Sequence, residues 1–111
     1  MAAGQRYYWY VAPAASDIRN FPINLHLLVV NHLDPVNINY VQLFDSAAAV
    51  APGAIPAIEI TVFPSGIASY APAMDGRKFN TGLAIYLSST PGLLTPVAGN
   101  NISLFGEARQ P

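Results

Sequence analysis

The length, composition and charge of this chain limit its architecture and its partners. Its 111 residues are enough for one hydrophobic core, since single domains typically span about 100 to 150 residues. Charged residues make up 10% of the sequence and apolar residues 52%, whereas average soluble domains have roughly 25% charged residues. The net charge of −1 argues against a nucleic-acid partner. So few charges indicate that other chains cover part of the apolar exterior.

The sequence also argues against disulfides, a membrane span and secretion. It contains no cysteine, so neither disulfides nor thiolate metal sites stabilise the predicted fold. Residues 21–33 are free of charge but contain proline, asparagine and histidine, and they are too short and too polar for a span of about 20 apolar residues. The N-terminus lacks the basic start and apolar core of a signal peptide. We therefore expect a protein made and used in a cytoplasm, with no membrane partner.

Prolines and glycines divide the chain into short segments. Ten prolines and eight glycines leave runs of about five to ten residues, the usual length of strands. Because proline removes an amide donor and restricts the residue before it, helices of normal length are nearly excluded. We expect residues 47–51 to form a loop with one helical turn at most. The predicted strands are residues 6–11, 25–33, 38–44, 57–63, 83–87 and 101–105.

Side-chain alternation indicates how these strands are covered. In residues 57–63, isoleucine and valine alternate with Glu59 and Thr61, which is typical of a half-buried strand. Residues 38–44 carry apolar groups on both faces, so we expect this strand to be covered on both sides. Six or more short strands between proline and glycine loops predict an all-β fold, a jelly-roll-like β-sandwich.

The first 20 residues differ from the rest. Residues 6–11 read RYYWYV, and a linker of small residues follows at 13–16. Two interpretations are open for residues 1–20: an extended N-terminal arm that docks onto a neighbouring subunit, or an edge strand of the chain's own sheet. Residues 21–111 then form the β-sandwich domain.

The large aromatic side chains of this segment are of the type that anchors interfaces. If these residues form an arm, replacing Trp9 and Tyr10 with alanine should abolish attachment of the protein to the neighbouring subunit and leave its fold largely intact. The predicted protein-interface residues are Tyr7, Tyr8, Trp9, Tyr10, Phe21, Arg77 and Phe79.

No residue pattern indicates catalysis, a cofactor or a metal. His26 and His32 would lie roughly 20 Å apart along one strand, too far to bind one metal together. The six acidic residues show no D-x-D or E-x-x-H spacing, and no serine has a G-x-S-x-G context. We therefore expect a non-enzymatic protein without catalytic, cofactor-binding or metal-binding residues. Exposed aromatic rings on a β-sandwich leave sugar binding open as an alternative.

From about Ile38 onward, the sequence resembles a group of small tailed-phage virion proteins. Residues 40–45, YVQLFD, look like their early "YVQLYD" strand. Residues 55–60, IPAIEI, look like a second strand, and residues 79–91, FNTGLAIYLSSTP, look like their most specific segment. In that segment Gly82 is expected to permit a close backbone approach at the start of a buried strand. The first 20 residues have no counterpart in the resemblance.

The resemblance implies a structural role in a virus particle. It points to a capsid decoration or cement protein that bridges and stabilises major capsid subunits on the virion surface. Such a protein is expected to bind the major capsid protein and to form a homo-oligomer, possibly a trimer. The alternatives are a neck or tail component of the virion and a carbohydrate-binding surface module.

Overall fold

The computed structural model describes residues 4–111, and within them the chain forms nine strands and no helix, so none that could cross a membrane. The predicted all-β class is confirmed. Residues 47–51 form a loop without a helical turn. The strands are β1 (Arg6–Ala14), β2 (Ser16–Arg19), β3 (Ile23–His32), β4 (Asn39–Asp45), β5 (Ile58–Val62), β6 (Ile67–Tyr70), β7 (Arg77–Phe79), β8 (Leu83–Ser88) and β9 (Ile102–Arg109).

The strands of this described part form two antiparallel sheets that pack together as the predicted β-sandwich. The five-stranded sheet has the order β1-β9-β3-β6, and β7 pairs with β3 beside β6. The four-stranded sheet has the order β2-β8-β4-β5. The pairing is nested, because the first strand pairs with the ninth, the second with the eighth, the third with the sixth and the fourth with the fifth. The chain passes from one sheet to the other at every connection except β4–β5 and β6–β7.

Three short strands, β2, β6 and β7, were not predicted from the sequence. The segment expected to be a small-residue linker, residues 13–16, instead contains the end of β1 and the start of β2. All three strands lie at sheet edges and are three or four residues long. Strands this short show no recognisable alternation of apolar and polar residues. They form because each pairs with a longer neighbouring strand.

The main core lies between the sheets, and its buried residues come from every strand except β2 and β6. Burying each large apolar side chain contributes about 1.5–3 kcal/mol. The buried residues of this core are Trp9, Ile23, Leu25, Leu28, Val30, Val41, Leu43, Val62, Phe79, Leu83, Ile85, Leu87, Ile102, Leu104 and Ala108.

The chain's own loops cover the outer face of the four-stranded sheet. Phe44 and Ala84 on that face form a second buried cluster with Leu94 from the loop after β8. The loop after β4 joins this cluster, because Gly53 N–H donates to Leu94 O at 2.7 Å and Leu94 N–H donates to Ala54 O at 2.9 Å. Strand β4 is therefore covered on both sides, as its sequence predicts.

A polar network holds the same loop over the sheet. Gln42 is fully buried, and its side-chain amide donates to Glu59 Oε1 at 2.7 Å and to the carbonyl oxygens of Thr90 and Leu93. Glu59 Oε1 also accepts the Gly92 N–H at 2.9 Å. Because Gln42 and Glu59 are paired across β4 and β5, the loop after β8 is bonded to two strands.

Asp45, at the end of β4, organises the turn before β8. Its carboxylate accepts the backbone N–H groups of Thr81 at 2.8 Å, Asn80 at 3.1 Å and Gly82 at 3.4 Å. Burial raises the pKa of Asp45, but these three bonds outweigh it and hold the pKa below its ordinary value. The ionised carboxylate therefore stabilises this turn.

Gly82 lies where three segments of backbone converge. A Cβ on Gly82 would be 2.5 Å from Arg19 O and 2.8 Å from Ser46 O, closer than side-chain carbons approach. The expectation that glycine permits a close backbone approach here is confirmed.

Candidate protein-binding surface

The aromatic residues of β1 alternate between the core and the surface. Trp9 keeps 6% of its surface exposed, whereas Tyr8 keeps 52% and Tyr10 68%. Strand β1 pairs with β9 from Arg6↔Arg109 onward. Of the two interpretations of the N-terminal segment, an edge strand therefore describes Arg6–Ala14 in this structure. The first three residues of the predicted arm lie outside the described residues.

A polar network joins β1 to β2 at the corner between the sheets. Arg19 donates to the Asp17 carboxylate through Nη2 at 2.7 Å and Nε at 3.0 Å, and to Tyr7 Oη through Nη1 at 2.9 Å. Trp9 Nε1 donates to Asp17 Oδ2 at 3.1 Å. The hydrogen bonding to Asp17 raises the pKa of Arg19 even though burial opposes it. This network binds the aromatic segment to the body of the domain.

The predicted interface residues have different environments. Trp9 and Phe79 are buried in the core, so they have almost no surface to offer a partner, which corrects that part of the prediction. Tyr7 and Phe21 are half-buried and pack edge to face, with 5.5 Å between ring centroids. Arg77 is exposed at the start of β7. Tyr8 and Tyr10 are therefore the predicted aromatic residues that face outward.

Tyr8 and Tyr10 belong to an apolar surface on the outer face of the five-stranded sheet. Tyr10 is opposite Phe105, which is opposite Val29 on the next strand. Cross-strand partners project from the same face, and the rings of Tyr8 and Phe105 stack with centroids 6.1 Å apart. We call this surface the aromatic face. Its apolar residues are Tyr8, Tyr10, Leu27, Val29, Ile67 and Phe105, and Glu107 lies among them, opposite both Tyr8 and Leu27.

The described chain leaves the aromatic face uncovered. Ile67 on β6 keeps 73% of its surface exposed, and Phe105 is exposed as well. The outer faces of antiparallel sheets are usually polar when they contact water. The two outer faces of this sandwich therefore differ, since loops of the same chain cover the other one.

Positive charge lies at one end of the aromatic face. Arg6 is opposite Arg109 on β9, Arg109 is opposite Asn24 on β3, and Asn24 is opposite Lys78 on β7. We call Arg6, Lys78 and Arg109 the basic row. Glu107 neutralises part of this charge through an ion pair with Arg6 at 3.3 Å. A partner that covers the aromatic face would meet cationic groups at this end.

The described residues offer no cluster of side chains that could hold a metal ion. In residues 4–111, no group of three or more His, Cys, Asp or Glu side chains could hold a metal ion. His32 is buried, and its Nδ1 donates to Phe63 O at 2.7 Å. An open cavity of about 420 Å³ beside Asp45 is lined mostly by apolar residues, and Asp45 is already bonded to backbone amides.

Sequence reasoning missed Phe105, Ile67, Leu27 and Val29 as members of the aromatic face. A signal for Phe105 was present, because Phe105 alternates with Ile102 and Leu104 in the predicted strand 101–105 and therefore lies on the opposite face from Leu104. Leu27 and Val29 gave no such signal, since β3 is apolar on both faces.

The fold and this surface define an antiparallel β-sandwich with one apolar outer face that its own described chain does not cover. No family model, no curated protein and no solved structure matches the chain in comparisons with known proteins.

Proposed function

We propose that this protein is a structural component of a tailed-phage virion, a decoration or cement protein that binds major capsid subunits through its aromatic face. The observation that carries the proposal is the contrast between the two outer faces, one covered by loops and one apolar and exposed. Covering the exposed face removes apolar area from water, which contributes about 25 cal/mol per Å² before ordering costs.

The nested strand order supports this proposal. With the short β7 set aside, the two four-stranded sheets pair strands first to last and second to next-to-last, an order similar to that of a jelly roll. Viral capsid domains use this architecture, and so do lectins and cupins. The order therefore fits a capsid role without assigning one by itself.

The segments that resemble virion proteins also fit this division of the molecule. Residues 40–45 form most of β4, residues 55–60 lead into β5, and residues 79–91 include all of β8. These strands belong to the four-stranded sheet, whereas the aromatic face comes mainly from β1, β3 and β9. The resemblance thus concerns the scaffold, and the docking face is the part specific to this chain.

The proposed partners follow from the chemistry of the face. The partner is a major capsid subunit with an apolar patch and with acidic groups opposite the basic row, because opposite charges fix the register of an interface. The protein acts at the capsid surface, as a homo-oligomer, without enzymatic activity and without binding nucleic acid.

The test is re-attachment to particles that lack this protein. Wild-type protein should saturate such particles and raise their resistance to heat. A double variant, Tyr8→Ser with Tyr10→Ser, should fail to attach. The control is Ile55→Ser, at a position that is 81% exposed in the loop before β5 of the other sheet, and it should attach normally. Saturation by the tyrosine double variant would contradict the docking face, and wild-type protein that never labels particles would contradict the virion role.

Two other roles are separated by different measurements. A neck or tail component would label one vertex or the tail in immunogold images, whereas a cement protein labels the whole capsid surface. A carbohydrate-binding module is supported by the stacked, exposed rings of Tyr8 and Phe105, because such platforms can stack on sugar rings. Binding to a glycan array that Tyr8→Ser abolishes would favour this role.

A further inference from the structure

Strand β1 is an unusual edge. The other edge strands of the described sheets, β2, β5, β6 and β7, are three to five residues long, whereas β1 has nine. It pairs with β9 on one side, so alternate residues direct N–H and C=O groups away from the sheet. Proteins commonly protect such edges with short strands, lysine, proline or bulges. In β1, Pro13 and the bulge come only after Val11, which leaves the segment from Arg6 to Val11 regular and unprotected.

The edge is also held in place before any partner arrives. The Asp17–Arg19 network bonds to Tyr7 and Trp9 from one side, and their rings stack 5.4 Å apart. A preformed edge loses little conformational freedom when it pairs.

We propose that a second copy of this chain pairs antiparallel with β1 about a two-fold axis, so that two five-stranded sheets become one continuous sheet of ten strands. Arg6 is the one charged residue of β1. If the two-fold axis of a regular antiparallel pair lies at Tyr8, Arg6 faces Tyr10 of the second copy. If the axis lies at Trp9, Arg6 faces Ala12. In neither register does Arg6 face another arginine. Tyr8 faces Tyr8 or Tyr10 of the second copy, an aromatic cross-strand pair of the kind that stabilises sheets.

This pairing joins the two aromatic faces into one surface that is twice as wide. The inference does not depend on the virion role, because it rests on the edge alone, and it specifies a dimer where the sequence suggested a trimer. Pairing along one edge buries less than the roughly 1,600 Å² of a standard interface. The dimer should therefore form reversibly as the protein concentration rises.

Sedimentation of the isolated protein over a range of concentrations tests the dimer. Wild-type protein should shift from monomer to dimer. In Tyr8→Lys with Tyr10→Lys, lysines would face one another across the axis, and the dissociation constant should rise at least about tenfold. The control, Ile55→Lys with Met74→Lys, should dimerise like wild type. A wild-type protein that stays monomeric or forms trimers, or a tyrosine double variant that dimerises equally well, would overturn the proposal.

Engineered disulfides distinguish edge pairing from stacking of two aromatic faces. The natural chain has no cysteine, so Tyr8→Cys, Tyr10→Cys and their mixture each report one contact. Paired residues across antiparallel strands have Cα atoms about 4.5–5.5 Å apart, within disulfide range, whereas stacked sheets lie about 10 Å apart. If the two-fold axis lies at Tyr8, the Tyr8→Cys sample should form a disulfide-linked dimer by itself. If the axis lies at Trp9, the linked dimer should form only in the mixture of Tyr8→Cys and Tyr10→Cys. If no sample forms more covalent dimer than the Ile55→Cys control, edge pairing is wrong.

Discussion

The indole ring of Trp9 lies directly over Gly106, its partner across β1 and β9. The ring occupies the space that a side chain on Gly106 would need, so a Cβ there would overlap its six-membered ring. Trp9 is in turn held by its hydrogen bond to Asp17. This relationship explains why the N-terminal aromatic segment belongs to the sheet, since a glycine on β9 makes room for it.

Gly106→Ala should destabilise the fold. The added methyl group must displace a buried indole that has little freedom to move, and overpacking of this kind costs about 1–3 kcal/mol. The free energy of unfolding from urea titration measures this cost. Ala12→Ser, at an exposed position of β1, is the control and should change stability by less than about 0.5 kcal/mol. Wild-type stability for Gly106→Ala would show that Trp9 does not pack as described.

Trp9→Ala and Tyr10→Ala should differ sharply in stability, although the residues are adjacent. Removing a buried tryptophan costs about 3–5 kcal/mol, whereas the change at Tyr10, which is 68% exposed, should cost roughly 0.5 kcal/mol or less. The sequence-based expectation that both could be removed with the fold intact is thus corrected for Trp9. Thermal unfolding followed by circular dichroism distinguishes the two. Equal losses would contradict the inward orientation of Trp9.

Gly82→Ala should lower stability for a different reason. Here the new Cβ meets backbone oxygens of Arg19 and Ser46, which cannot rotate away as a side chain can. Replacing glycine reduces the freedom of the unfolded chain and gains about 0.4–1 kcal/mol, but the clash should outweigh this gain and leave a net loss of about 1–3 kcal/mol. Urea unfolding measures the net effect, and a variant more stable than wild type would contradict it.

Asp45→Asn should make stability less dependent on pH in the acid range. The pKa of Asp45 is lower in the folded protein than in the unfolded chain, so the folded state favours the ionised form. The stability that the ionised Asp45 carboxylate contributes is complete above the pKa of about 3.9 that an aspartate has in an unfolded chain. It is lost as the pH falls through the lower pKa of Asp45 in the folded protein. At pH 7 the variant should unfold at a lower temperature than wild type.

The difference between Asp45→Asn and wild type should shrink as the pH falls below about 4. Melting temperatures at several pH values measure it. Met74→Ser, at a highly exposed position, should keep the same small offset at every pH. A gap between Asp45→Asn and wild type that stays constant down to low pH would show that the carboxylate does not stabilise the turn through its charge.

The aromatic face could be predicted only in part. The sequence indicated that aromatic residues near the N-terminus contact a partner, and Tyr8 and Tyr10 are exposed as that requires. It could not separate them from Trp9, because residues 7–10 are aromatic in both phases of the strand alternation. Phe79 was misjudged for a related reason, since a strand of three residues carries no readable pattern. The virion role and the absence of enzymatic activity stay predictions.

By itself, the sequence determined the all-β class and most of the strands. These depend on local features: proline and glycine bound each segment, and β-branched and aromatic residues favour extended backbone. Only the tertiary structure decided which face is buried in strands that are apolar on both faces, such as β1 and β3, because that depends on partners distant in sequence. The ring of Trp9 packs against Gly106, which has no side chain in its way. The loop that contains Leu94 covers the outer face of the four-stranded sheet, and no such loop covers the outer face of the five-stranded sheet in the described chain. No local pattern carries such information, since each contact joins segments that only the packed sandwich brings together.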